Sequence, residues 1–285
     1  MGEGSGLPFG VFVHADKRLP EFLDFLTVAG VSTCHLAIHS SSVPDGGQRD
    51  RLLELLSQCE IRPTVVFCLF EGEDYRDIPT VRRTVGLVPE EHRAERLRAA
   101  KAMAEVAAHL RAPAIGLHLG FLPPDRAGAS YREIVEVTRS LSRWCAELGL
   151  WLHLETGQES AELLRDFLMD LGEPNVAVNF DPANMILYGT GDPVEAAEKL
   201  APHIRSVHCK DARWSDRPGL TWGLEVPVGL GHVDFAGILR VLRRAGYREP
   251  LTVEREIEGE EQRRDIVAAI AYLKGLLANI WAEGD

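Results

Sequence analysis

Leu150-Trp151-Leu152-His153-Leu154-Glu155-Thr156 is a short apolar run that ends on charge. Its alternation and length predict a strand over Leu150–Thr156, and residues two apart on a strand face the same way. The same design returns three times downstream. Val176–Phe180 runs into Asn179-Phe180-Asp181, Arg205–Lys210 ends His208-Cys209-Lys210, and Leu251–Glu254 runs into Glu254-Arg255-Glu256. Upstream, Gly10–Ala15, Thr33–His39, Pro63–Phe70 and Ala114–Phe121 read as strands by the same pattern. Helical periodicity fills the gaps. Glu90–Leu110 sets Leu97, Ala100, Met103, Ala104, Ala107 and Leu110 on one face, and Gln262–Trp281 does so with Ile266, Ile270, Leu273, Leu277 and Ile280. Eight strands alternating with helices in fewer than 300 residues predict an α/β protein: one (β/α)8 TIM barrel, as a single domain over residues 1–285. A doubly wound sheet is the alternative. Against it, the first strand leads into Val13-His14-Ala15-Asp16-Lys17, with no Gly-rich phosphate turn.

Composition narrows the class. The 285 residues are 45% hydrophobic and 26% charged, which excludes wholesale disorder and low-complexity scaffolds. Lys+Arg number 31 against 43 Asp+Glu, a formal charge of −12 that repels phosphate backbones and anionic lipid, so neither nucleic acid nor membrane is expected as a partner. Five cysteines, scattered and without a CxxC pair, indicate neither a disulfide framework nor a zinc ribbon. Met1-Gly2-Glu3-Gly4-Ser5-Gly6 lacks the basic and apolar regions of a signal peptide, and a cytoplasmic protein is expected. Monomer and homo-oligomer (dimer or tetramer) are both compatible with the sequence. Two long irregular stretches, Glu71–Pro89 and Asp211–Asp234, each follow a strand and belong at the C-terminal mouth of a barrel, where active-site loops lie.

The strand ends carry the chemistry. If Glu155, Asp181, His208 and Glu254 all point inward, three carboxylates and one imidazole converge. Each alone has a plainer role: a strand-end glutamate usually caps a helix or meets solvent, and a strand histidine is usually a hydrogen-bonded core residue. What sets these four apart is their coincidence at one height on successive strands. Like charges packed so closely would not all stay ionised without a cation among them. Oxygen-rich ligation with one nitrogen suits one divalent ion, Mn²⁺, Mg²⁺, Co²⁺ or Zn²⁺.

The segments Leu152–Gln158, Asn179-Phe180-Asp181-Pro182-Ala183-Asn184, Val207–Asp211 and Leu251–Glu256 resemble the xylose isomerase-like TIM-barrel family, and within it the sugar phosphate isomerase/epimerase branch. Pro227–Phe235 is similar to the branch's Gly-x-Gly…Asp-Phe loop. The resemblance implies one divalent metal, with manganese the first choice, held by Glu155, Asp181, His208 and Glu254. It also implies that Glu155 and Glu254 act as base and acid on opposite faces of a small carbohydrate substrate. Such a metal would stabilise the enediolate left when an α-proton departs. The branch's epimerases place a histidine three residues after the strand-six aspartate, where this chain has Asn184. They carry an arginine shortly after the strand-seven histidine; Arg213 lies one residue off that place and Trp214 stands in it.

The leading functional expectation is therefore a metal-dependent sugar, sugar-acid or cyclitol isomerase or epimerase. The alternative is a keto-sugar or inosose lyase or hydratase using the same metal and base. A third, more remote reading is an apurinic-site endonuclease, with His39 and His118 as further ligands; Asn184 and the net charge oppose it. Expected substrate contacts are His118, His153, Gln158, Asn184, Lys210 and Arg213, with Trp214 and Trp222 on the rim. Lys210 has two readings of equal weight: it touches a substrate oxygen, or it pairs with Asp211 or Glu256.

Overall fold

Each apolar run becomes one stave of a closed parallel sheet in a computed structural model that describes residues 7–282. The N-terminal stretch Met1–Gly6 read above lies outside the described residues. The staves are β1 (Phe9–His14), β2 (Thr33–His39), β3 (Arg62–Leu69), β4 (Ala114–Leu117), β5 (Trp151–Glu155), β6 (Val176–Phe180), β7 (Ile204–Cys209) and β8 (Leu251–Val253). Each pairs with its sequence neighbour, and β1 closes the ring by pairing with both β2 (Gly10↔Thr33) and β8 (Phe9↔Leu251). This is the α/β TIM barrel expected from the alternation.

Parallel staves need crossovers, and the helices supply them while covering the outer face. Glu90–His109 buries Ala100, Met103, Ala104 and Ala107; its basic and acidic residues other than Arg96 lie outward or at its edges. Glu260–Ala282 buries Ile266, Ile270, Leu273, Leu277 and Ile280, the five positions its periodicity selects. Each buried Ile, Leu or Met among these contributes roughly 1.5–3 kcal/mol. Inside the barrel the packing is tight: a Cβ on Gly116 would stand 2.6 Å from the Phe67 ring, so glycine on β4 is what lets Phe67 fill the lumen.

Three stretches differ from the sequence expectation. β4 ends at Leu117 and not Phe121, because Leu119 turns its carbonyl to the amides of Leu87 and Val88 (2.8 and 3.0 Å) and leaves the ladder. Within Glu71–Pro89 a short helix, Ile78–Thr84, forms where Asp77 accepts from the Thr80 amide at 2.7 Å. Within Asp211–Asp234 the strands Asp211–Arg213 and Leu224–Val226 pair as an antiparallel hairpin beside the barrel mouth. The cysteines are unpaired, and among the described residues no helix is long and apolar enough to cross a membrane.

Candidate metal centre

Four strands deliver four ligand-type side chains to one point at the C-terminal mouth. Glu155 ends β5, Asp181 follows β6 as the N-cap of helix Pro182–Tyr188, His208 lies on β7, and Glu254 follows β8. One ligand atom from each lies within 4.8 Å of all the others, and all four residues are buried. His208 Nδ1 is the hub, 2.8 Å from Glu155 Oε1, 3.1 Å from Glu254 Oε2 and 3.9 Å from Asp181 Oδ2. β5 and β8 are separated by two staves, so the two glutamates approach the hub from different sides.

Neighbouring groups hold this charge in place. Thr156 Oγ1 accepts from the Asp181 amide (2.8 Å) and donates to its carbonyl (3.0 Å), pinning the ends of β5 and β6 together. His35 Nδ1 stands 2.8 Å from His208 Nε2, so Nδ1 of His208 is left to face the carboxylates. Gln158 Nε2 donates to Tyr188 Oη and to His118 Nδ1, both at 3.1 Å. The His118 proton therefore sits on Nε2, 3.2 Å from Glu155 Oε2. Burial works against ionised Glu254, but Lys210 and His208 hold its carboxyl well below the usual range. Burial likewise opposes ionised Glu155, yet His118 and His208 keep it below its ordinary value. Asp181 goes the other way: burial, reinforced by Glu254 and Glu155, pushes it up to about 7 despite Lys210.

The donor set fits a divalent cation. Asp181 Oδ2 and Glu254 Oε2 are fully enclosed, and although each lies 3.0 Å from Lys210 Nζ, neither has an aligned hydrogen bond. Lys210 offsets one of the three buried carboxylates, and the remaining negative charge is costly unless a further cation joins it. Hard oxygens with one imidazole suit Mg²⁺, Mn²⁺, Co²⁺ or Zn²⁺.

The cavity above the cluster has a volume of about 440 Å³. Of the residues picked out by sequence, Glu155, Glu254, His118, Asn184 and Trp222 line it. Gln158 stands behind His118, and Lys210 is buried against Asp181, Glu254 and Glu256, the last at 2.7 Å. The remaining three lie elsewhere. Arg213 turns its guanidinium to the Leu230 carbonyl, and Trp214 is half exposed on the hairpin. His153 does face the barrel interior, but one layer deeper, beside a cavity of about 110 Å³ at the N-terminal end. His39 turns outward to Ser41 Oγ, away from the cluster.

Sequence reasoning passed over Phe12, His14, Phe67, Tyr75, Tyr188, Glu225 and Glu256 in the lining. Phe12 and His14 were within reach of it, since the two-residue parity applied to the later strands also operates on Phe12-Val13-His14. Tyr188 was not, because it ends a helix whose seven residues are all buried.

A family model described as xylose isomerase-like TIM barrel matches residues 24–276. A xylose isomerase domain protein from Planctomyces limnophilus superposes with a TM-score of 0.90 at 42% identity, over 96% of this chain and 99% of that one. A xylose isomerase-like protein from Mycobacterium smegmatis, solved in complex with magnesium, has the same fold at 15% identity (TM-score 0.74, 98% and 99% covered). Among curated proteins, the inosose dehydratase of Geobacillus kaustophilus (strain HTA426) is 30% identical over 143 residues, 45% of this chain and 46% of that protein. The rhizopine catabolism protein MocC of Rhizobium meliloti is 31% identical over 136 residues, 44% and 41%. The chain thus spans less than half the length of the curated relatives it matches.

Proposed function

Because the chain belongs to the xylose isomerase-like TIM-barrel family, we propose that it is a divalent-metal-dependent isomerase or epimerase of a sugar or cyclitol, with Glu155 and Glu254 moving the proton. The observation that carries this reading is the buried convergence of Glu155, Asp181, His208 and Glu254, three carboxylates around one imidazole. A divalent ion held there would polarise a substrate carbonyl and its neighbouring hydroxyl, making the adjacent C–H acidic. Asp181 and His208 hold; Glu155 and Glu254 hold and also accept or return the proton. Lys210 and His208 favour ionised Glu254, and His118 and His208 favour ionised Glu155, so either carboxylate can serve as the base. Asn184 Nδ2, 3.4 Å from Glu155 Oε1 and lining the cavity, orients that carboxylate beside the substrate. Manganese remains the first choice of metal.

The test is metal analysis of the purified protein, followed by a keto-sugar and inosose panel in deuterated water with and without EDTA. The reading requires EDTA-sensitive deuterium incorporation at the substrate α-carbon. A second reading, a lyase or dehydratase, is supported by the name of the inosose dehydratase among its relatives. It uses the same base but expels a β-substituent, so release of water or of an aglycone in place of an isomer decides for it.

A further inference from the structure

Resting on the isomerase or epimerase reading, we propose that the substrate of this cavity is an uncharged polyol carbonyl compound, neither phosphorylated nor carboxylated, that lays a C–H face on an aromatic wall. The charge of the lining is the first ground. Among the described residues that line the cavity there is no lysine or arginine, whereas Glu155, Glu225, Glu254 and Glu256 all do so. Nearby cations are already committed. Lys210 Nζ stands 3.0, 3.0 and 2.7 Å from Asp181, Glu254 and Glu256, and Arg255 pairs with Glu225 at 2.9 Å and Asp265 at 2.8 Å. Arg213 donates to the Leu230 carbonyl. With a divalent ion in place, three ligand carboxylates are balanced by that ion and Lys210. Arg255 offsets only one of Glu225 and Glu256, and the negative remainder sets the field that an approaching ligand meets.

The backbone is the second, independent ground. Barrels hold phosphate on amides of the loops after the last strands and on helix N-termini. Here the Gly-rich loop after β7 is wrapped around a carboxylate of the chain itself. Asp211 Oδ2 accepts from the amides of Gly229 and Gly231 (2.9 Å each), and Oδ1 from those of Ala212 (2.8 Å) and Val233 (3.1 Å). A Cβ on Gly231 would stand 2.0 Å from Asp211 Oδ1, so the loop closes this tightly only with glycine there. The following helix, Phe235–Arg244, has its N-terminal amide at Gly237 taken by Asp234 Oδ1 at 2.9 Å. The glycine loop after β7 and the N-terminus of helix Phe235–Arg244 are thus each occupied by an aspartate.

What the cavity offers in place of cations is aromatic surface. Tyr188 and Trp222 pack with centroids 4.6 Å apart, and Tyr75, Phe12 and Phe67 complete the wall around the carboxylates. A polyol ring has hydroxyls for the carboxylate side and C–H bonds for the aromatic side. A volume of about 440 Å³ accommodates a ring of hexose size.

The experiment is calorimetric titration of the manganese-loaded protein with matched pairs: myo-inositol and inositol 1-phosphate, fructose and fructose 6-phosphate, glucose and glucuronate. The expected result is binding of the neutral member at least about tenfold tighter in each pair, the scale of one unscreened like-charge repulsion near a protein surface. Glu225→Gln, which removes one wall carboxylate and frees Arg255 from a partner, should shrink that ratio several-fold. Anionic members that bind as tightly as neutral ones, or an unchanged ratio in Glu225→Gln, overturn the proposal. So does the absence of saturable binding by every neutral probe. Failure of the isomerase reading shows separately, as no α-proton exchange with any keto compound, and leaves the binding ratios readable.

Discussion

The two ends of this barrel both bury polar side chains, and they bury them differently. At the C-terminal mouth, three carboxylates crowd His208 and Lys210, and two of their oxygens lack a hydrogen bond. At the N-terminal end, Ser206 Oγ donates to Asn179 Oδ1 at 2.6 Å and lies 2.8 Å from His153 Nδ1, a chain of uncharged groups in which Asn179 Nδ2 alone has no partner. Burial keeps the His153 imidazole neutral by lowering its pKa to about 3. The lower layer carries no net charge, and an unpaired neutral amide there costs far less than an unpaired buried carboxylate. The upper one concentrates charge that a fold would not retain for stability, since buried ion clusters rarely repay their desolvation. On the proposed reading, ligand chemistry belongs to the mouth and the lower layer is structural.

The largest expected effects lie at the mouth. Glu155→Gln and Glu254→Gln keep an oxygen near the metal but remove the base, so turnover should fall roughly 10²–10⁴-fold while metal still binds, more weakly. Solvent deuterium exchange at the substrate α-carbon, with metal content measured alongside, checks this; wild-type exchange by both metal-saturated variants would break the two-base scheme. His208→Ala and Asp181→Asn should act instead on occupancy. We expect metal affinity to drop by about 100-fold or more, since even residues that only support a ligand contribute about 10–100-fold. Equilibrium dialysis measures the loss, and excess metal should restore part of the activity.

Glu159 sharpens the comparison, being a buried carboxyl with neither a cation nor a hydrogen bond at Oε2. Burial pushes it up to about 8, above its unfolded value, so the folded state holds a proton that the unfolded state has lost between about pH 4.5 and 8. Stability contributed by this group is present in full below that window and declines as pH rises through it. Glu159→Gln should therefore be nearly neutral at pH 4 and stabilise by on the order of 2–3 kcal/mol at pH 7, read from denaturant midpoints at several pH values. Ser206→Ala, in the lower layer, should show the smallest effect: a loss of about 1 kcal/mol in stability from a broken hydrogen bond, with turnover close to wild type. Turnover reduced as far as in Glu254→Gln, at unchanged stability, would erase the distinction between the two ends.

How much of this was legible beforehand varies by residue. Glu155, Asp181, His208 and Glu254 could be aligned because each closes an apolar strand, and parity sends each inward. The same parity rule placed His153 beside them, although two residues along a strand are also about 6.5 Å along its axis. Facing the lumen is a matter of parity; depth in it depends on the stagger between staves, which no single strand encodes. Arg213 and Trp214 depend on a hairpin whose partner strand begins eleven residues after Arg213, so their direction was not a local property.

Alternation of apolar strands with amphipathic helices is a local signal, repeated along the chain. The sequence by itself therefore determined the barrel, its strand order and which four side chains end the last four staves. Only the tertiary structure decided how closely the three carboxylates crowd His208, that Lys210 is spent on Asp181, Glu254 and Glu256, and that Asp211 fills the glycine loop. Those are facts about distances between segments far apart in the chain. Electrostatic energies inside a protein change steeply over the few ångströms that separate a paired charge from an unpaired one, and those ångströms are set by packing.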